Sequence, residues 1–234
     1  MRIKRFSFEK LFRMIRNKVL EGDKIPSDEQ KVINDFHKLS YNRGGMNTKW
    51  MGTEMGKYPN DLLIYQEIIF ETKPDVIIEC GTDKGGSALF LAHILDIMGH
   101  GEVITIDIDN KSPPQHKRIK YLIGKSTSDK IFQKVKEAVP GKRVMVILDS
   151  DHDKGNVLNE LNLYNNLVSE GCYLIVEDSN INGHPIHKNF GAGPMEALKE
   201  FLETNNDFEI DKNCERLLIT SNPNGYLKKK EIQK

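Results

Sequence analysis

Five short, nearly continuous apolar runs recur between residues 76 and 176, rich in β-branched residues, and helical patterning separates most of them. The runs are Val76–Cys80, 103–107, Ile119–Ile123, Val144–Leu148 and Tyr173–Val176. Runs without polar alternation predict strands covered on both faces, which is the pattern of a parallel sheet with crossover helices. Helices are predicted at Gly86–Met98, 128–138, 157–169 and 193–203, the last opened by Gly193-Pro194. Phe208–Ile210 and 217–220 are expected to close the sheet as an antiparallel pair, with Pro223-Asn224-Gly225 as a turn beyond them. The fold class is therefore α/β: a Rossmann-like, mostly parallel seven-stranded sheet with helices on both faces.

The 234 residues suffice for one substantial core. We place an N-terminal helical extension over 1–48 and the main domain over 49–234. Within Met1–Lys18, seven basic residues face one acidic residue, and Phe8, Leu11, Phe12, Ile15 and Val19 recur at helical spacing. That amphipathic stretch is expected to pack on the domain or on a second subunit. The closing Lys228-Lys229-Lys230 reads as a solvated tail. Lys and Arg balance Asp and Glu at 34 each, so the chain carries no large field for gathering nucleic acid or anionic membrane. The odd count of cysteines, Cys80, Cys172 and Cys214, argues against a disulfide framework. No apolar run reaches the roughly 18 residues of a membrane span, and the start has no signal core. A soluble, unprocessed, cytoplasmic protein acting on a small molecule is expected.

The first strand runs into Glu79-Cys80-Gly81-Thr82-Asp83-Lys84-Gly85-Gly86-Ser87, which opens a helix where an open α/β sheet places its ligand. Gly81, Gly85 and Gly86 let the backbone approach a ligand, but they lack the three-glycine dinucleotide spacing and the lysine-hydroxyl ending of a phosphate loop. Glu79 is suited to the amino group of a methionine-like moiety. Asp107 ends the second strand, where a carboxylate meets ribose hydroxyls. A further cluster, Asp149-Ser150-Asp151-His152 and Glu177-Asp178, ends the next two strands. So many oxygens at one rim suit Mg²⁺, Ca²⁺ or Mn²⁺ better than zinc, and without a cation the acids would raise one another's pKa. His152, with an ordinary pKa near 6.5, is placed to take a proton from a hydroxyl. The loop 182–194 follows directly, as do many loops that carry substrate contacts. The stretch 50–61 is expected to cross the same crevice, with Trp50 either packing or walling it.

On Glu79 to Ser87, Leu148-Asp149-Ser150-Asp151-His152, Val176-Glu177-Asp178, Asn182-Gly183-His184-Pro185 and Phe190-Gly191-Ala192-Gly193-Pro194, the chain resembles the cephalosporin hydroxylase family from about Lys49 to Leu227. That family is a branch of the class I S-adenosylmethionine-dependent methyltransferases, similar also to sugar and rhamnosyl O-methyltransferases. The resemblance implies that Glu79, Gly81, Thr82, Gly85, Ser87, Asp107, Ser126 and Asp149 surround S-adenosylmethionine. It implies that Asp149, Glu177 and Asp178 hold Mg²⁺ and that a homo-oligomer forms through N-terminal segments; His152 and Asp149 are the catalytic candidates by their place in the acidic cluster. Catechol-type relatives place a lysine where His152 stands. A non-haem iron hydroxylase would want two histidines and one carboxylate, and the strand ends offer one histidine, so methyl transfer to a hydroxyl is the expected chemistry. A hydroxylase, or a non-catalytic module that keeps the nucleoside pocket, is the alternative.

Overall fold

The computed structural model describes residues 25–231; the basic stretch Met1–Lys18 lies outside them. The described chain begins with helix α1 (Ser27–Asn42), a two-residue hairpin β1 (Lys49–Trp50) and β2 (Thr53–Glu54), and helix α2 (Pro59–Thr72). There follow β3 (Val76–Cys80), α3 (Gly86–Met98), β4 (Glu102–Asp107), β5 (Ile119–Ile123), α4 (Asp129–Ala138), β6 (Val144–Leu148), α5 (Lys154–Tyr164) and β7 (Tyr173–Val176). The last elements are α6 (Pro194–Thr204), β8 (Phe208–Ile210) and β9 (Tyr226–Lys229).

The main sheet has the order β5-β4-β3-β6-β7-β9-β8, parallel through its first five strands and antiparallel at β9. Period-two alternation along β3 divides the core. Val76, Ile78 and Cys80 pack with Ile131, Leu161 and Phe201 of α4, α5 and α6, while Ile77 packs with Ile64 and Ile69 of α2 and Leu91 of α3. From β3 the chain crosses to β4 on one side and later returns to β6 on the other. That reversal opens a crevice beyond the C-terminal strand ends, the usual ligand position in such sheets. Local chemistry sets the helix starts. Gly85 enters α3 at φ +81°, Asp153 accepts the Gly155 N–H at the start of α5, and Glu196 of α6 reaches back to the Gly193 N–H at 2.8 Å.

The closing strand is Tyr226–Lys229 rather than 217–220. The latter segment turns, with Leu218 at φ +70°, because its backbone groups are engaged elsewhere: Asn60 Nδ2 of α2 donates to the Leu217 and Ile219 carbonyls, and the Leu218 N–H donates to the Glu215 carbonyl. Lys228 and Lys229 accordingly belong to β9 and not to a tail, and Lys229 Nζ donates to the Asn165 and Val168 carbonyls at 3.2 and 2.9 Å.

Helix α1 docks through His37, which is buried edge-on to Tyr58 and accepts from Asn180 Nδ2 at 3.1 Å. Burial lowers its pKa to about 4. An unfolded histidine titrates near 6.5, so between these values the unfolded chain binds the extra proton. Stability is therefore expected to be full above about pH 6.5 and to fall as pH drops toward 4. A His37→Phe variant should show a shallower decline of its urea midpoint over that window.

Candidate active site

A cavity of about 620 Å³ opens at the strand tips, lined by the loop after β3, the ends of β4 and β6 and the hairpin residues Glu54 to Gly56. Of the residues nominated for the cofactor, Gly81, Thr82, Ser87, Asp107, Ser126 and Asp149 line it, as does His152. Gly81 has φ +106°, and a Cβ there would stand 1.8 Å from the Asp149 carbonyl oxygen. Only glycine lets β3 and β6 close at this point. Asp107 is fixed by its own loop: Oδ2 accepts the Thr82 and Asp83 N–H groups at 3.0 and 2.8 Å.

Glu79 and Gly85 stand outside this lining. Glu79 is 1 % exposed and accepts from Thr105 Oγ1 at 2.6 Å, and burial pushes its pKa up to about 7. It braces the loop from behind. Ser126 and Ser150 both donate to Glu160, a buried carboxylate whose other oxygen has no partner. Nothing in the spacing of residue 160 on a helix marks this support in advance.

At the inner end, Asp149, His152 and Asp178 each offer one ligand atom within 4.8 Å of the others. His152 Nε2 lies 3.0 Å from Asp178 Oδ2 and 3.5 Å from Asp149 Oδ1. These approaches suit charge attraction but are out of line for hydrogen bonds, so the covered nitrogen is left without one. Burial would lower the His152 pKa, but the two carboxylates outweigh it and push it up to about 10. Asp178 holds φ +52°, a left-handed conformation that short polar side chains tolerate.

Glu177, nominated with these acids, faces another way. It is 2 % exposed, its Oε1 accepts from Tyr65 at 2.8 Å, and its Oε2 accepts from Lys57 Nζ at 2.5 Å. Lys57 also donates to Asp149 Oδ2. Burial would lower the Lys57 pKa, but Asp149 and Glu177 reverse this and keep the ammonium charged. Burial would raise Asp149, yet Lys57 and His152 hold it below the usual carboxylate range. Burial and the neighbouring Asp149 push Glu177 up. Lys57 was not singled out from the sequence, because a lysine two residues before a helix-opening proline carries no sign of burial.

The Asp149 and Asp178 carboxylate oxygens converge beside an imidazole nitrogen that has no aligned partner; hard oxygens so placed fit a divalent cation and leave that nitrogen free to accept a proton. The cluster offers one histidine and two carboxylates, the reverse of the iron triad.

A second cavity, of about 520 Å³, lies on the other side of His152. Its walls are Tyr41 to Asn47 in part, Asp178, and Ile181, Ile186, His187 and Phe190 of the loop after β7. Tyr41 of α1 and His187 share a hydrogen bond of 2.6 Å across it. Trp50 packs elsewhere: its ring stands edge-on to Phe90 and its Nε1 donates to His93 at 2.9 Å.

Among solved structures, two CmcI chains share the fold, with TM-scores of 0.61 and 0.62 at 23% identity over 79% and 80% of this chain and 77% and 78% of theirs; one was solved with Mg and SAM. Curated relatives run closer in sequence. A rhamnosyl O-methyltransferase of Mycobacterium bovis is 40% identical over 213 residues, 86% of each chain. Its counterpart in Mycobacterium leprae is 38% identical over 215 residues, 88% of this chain and 93% of the other. The family model described as Rhamnosyl O-methyltransferase/CmcI matches residues 42–230. That match runs from the end of α1 to the last described strand, through every residue of both cavities except Tyr41, and so this chain belongs to the rhamnosyl O-methyltransferase/CmcI family.

Proposed function

We propose that the chain transfers the methyl group of S-adenosylmethionine to a hydroxyl of a small molecule, a deoxysugar or related natural product, with the help of a divalent cation such as Mg²⁺. One observation carries this reading. His152 lines both cavities and stands between Asp149 and Asp178, so a nucleoside on one side and an acceptor on the other meet at a base and a set of oxygen ligands.

Gly81, Thr82 and Ser87 along the 620 Å³ cleft would hold the nucleoside, and Asp107 and Ser126 in the same lining would serve its ribose and adenine; Glu79 and Gly85 shape that loop from outside the lining. Asp149 and Asp178 would hold the cation, while Glu177, the third acid the sequence nominated, holds Lys57 and Tyr65 behind them. When bound, a divalent ion supplies the charge that Asp149 and Asp178 otherwise draw from His152 and polarises the acceptor hydroxyl. His152 then takes the hydroxyl proton as the acceptor oxygen bonds to the methyl carbon and the carbon–sulfur bond breaks, leaving a neutral thioether. The remaining task of the chain is alignment of oxygen, carbon and sulfur.

The acceptor occupies the 520 Å³ cavity. Its described walls contain neither lysine nor arginine and combine Met46, Ile181, Ile186 and Phe190 with Asn42 and Asn47. Such a surface suits a neutral sugar with an apolar edge, which agrees with the names of the curated relatives. The test is transfer of labelled methyl to an alkyl α-rhamnoside. Product that disappears with EDTA and returns with Mg²⁺ is expected; no transfer to any hydroxyl acceptor, under conditions where the cofactor binds, would overturn the reading.

Tyr41→Phe removes the hydroxyl bonded to His187 and loosens the cavity wall. It should raise KM for the rhamnoside about 5-fold, the scale of one hydrogen bond, and leave KM for S-adenosylmethionine unchanged.

No helix of the described residues is long and apolar enough to cross a membrane. With three free, buried cysteines, a reducing cytoplasm is the proposed location. Assembly into a homo-oligomer is proposed through the N-terminal segment, and no role for nucleic acid.

A further inference from the structure

The cluster already contains a cation of its own. Lys57 is 2 % exposed, and its backbone is fastened on both sides to Thr48, whose hydroxyl donates to the Lys57 carbonyl at 2.8 Å and accepts the Lys57 N–H at 3.2 Å. Pro59 opens α2 two residues later. The side chain therefore reaches inward from a fixed base, and its ammonium bridges Asp149 Oδ2 and Glu177 Oε2. Asp149 is shared: Oδ2 faces Lys57, while Oδ1 faces His152 and the ligand group. Glu177 is locked from its other side by Tyr65, which in turn accepts from Asn222 at 2.9 Å.

We propose that Lys57 is a resident cation that shares Asp149 with the divalent ion and ties it to Glu177, keeping these acids in place when the ion is absent and holding the ion's affinity low enough for ready exchange. The inference rests on the metal reading above. Two positive charges on one carboxylate repel each other, and the ammonium of the buried Lys57 side chain, 3 % exposed, has little water to screen it although Asp149 itself lines the cleft. Without either, the enclosed carboxylates would repel instead, and removing one partner of a buried pair leaves the other uncompensated. Lys57 thus acts through Asp149 and Glu177 as a positioning residue.

The test uses the full chain with Lys57→Met, which keeps most of the length and removes the charge. Calorimetric titration with Mg²⁺, and with Mn²⁺ as a second probe, should show binding at least about tenfold tighter than in the wild type. The metal-free variant should melt at lower temperature, and the rise in melting temperature on adding saturating Mg²⁺ should exceed that of the wild type. Equal or weaker ion binding by a folded Lys57→Met chain would overturn the proposal, since a lysine that only fills space would leave affinity unchanged and one that builds the ion site would weaken it on removal. If Lys57→Met does not fold, Lys57→Gln carries the same expectation. If neither folds without an ion, recovery of folded protein on refolding with Mn²⁺ supports the proposal, and no recovery overturns it. A wild type that takes up neither ion removes the metal reading itself, whereas a wild type that binds while Lys57→Met binds no tighter removes only the role given to Lys57.

Discussion

His152→Gln is expected to lower kcat for methyl transfer by about 10² to 10⁴-fold, the usual worth of a positioned general base, while KM for S-adenosylmethionine stays within about twofold of the wild type. The glutamine keeps polarity and roughly the reach of the ring but cannot accept the hydroxyl proton. The split between the constants follows from position: His152 touches the end of the cofactor cleft nearest the acids, whereas most of the lining comes from the β3 loop, Asp107 and Ser126. Steady-state kinetics with each substrate varied in turn makes the check. A variant with unchanged kcat would take the base from His152 and leave alignment as the main source of rate. A parallel rise in both KM values would instead make the residue a wall between the cavities.

The second large effect is expected from Gly81→Ala. The added methyl would meet the Asp149 carbonyl oxygen at 1.8 Å and its carbon at 2.5 Å, both backbone atoms, on a residue at φ +106°. No rotamer relieves such a clash, so the tips of β3 and β6 must part, although the Asp149 N–H to Cys80 carbonyl bond of 2.7 Å joins them there. We expect a loss of at least about 3 kcal/mol in stability. Any chain that still folds should bind S-adenosylmethionine at least tenfold more weakly, because the same movement displaces Thr82 and Asp149 in the cleft. Gly99→Ala is the control. Gly99 ends α3 at φ +81° with open space where its Cβ would stand, so it should cost only about 1 kcal/mol of backbone strain and leave binding intact. Urea unfolding and cofactor titration of the two variants separate clash from strain.

Most of the architecture was legible because it is written at short range. The five parallel strands fall where continuous apolar runs stand, and α3 spans the predicted residues Gly86–Met98, since a two-sided burial pattern and a glycine entry are local properties. The error at 217–220 has the opposite origin. That stretch is apolar enough for a strand, but Asn60, 157 and 159 residues away, takes the Leu217 and Ile219 carbonyls, and the strand moves to Tyr226–Lys229. The division at residue 48 separates the chain on composition, yet Tyr41 and His37 of α1 reach the loop after β7 and form part of the second cavity and its support.

The sequence by itself determined the five parallel strands, the helices between them and which loops gather at the carboxyl end of the sheet, because periodicity and turn chemistry act between neighbours along the chain. Only the tertiary structure decided how the gathered groups pair. It set Glu177 toward Lys57 and Tyr65, placed Glu79 behind the cleft and left His152 between Asp149 and Asp178. Lys57 meets its acids across 92 and 120 residues of chain; a charge becomes a buried partner only when packing excludes the water that would otherwise solvate it.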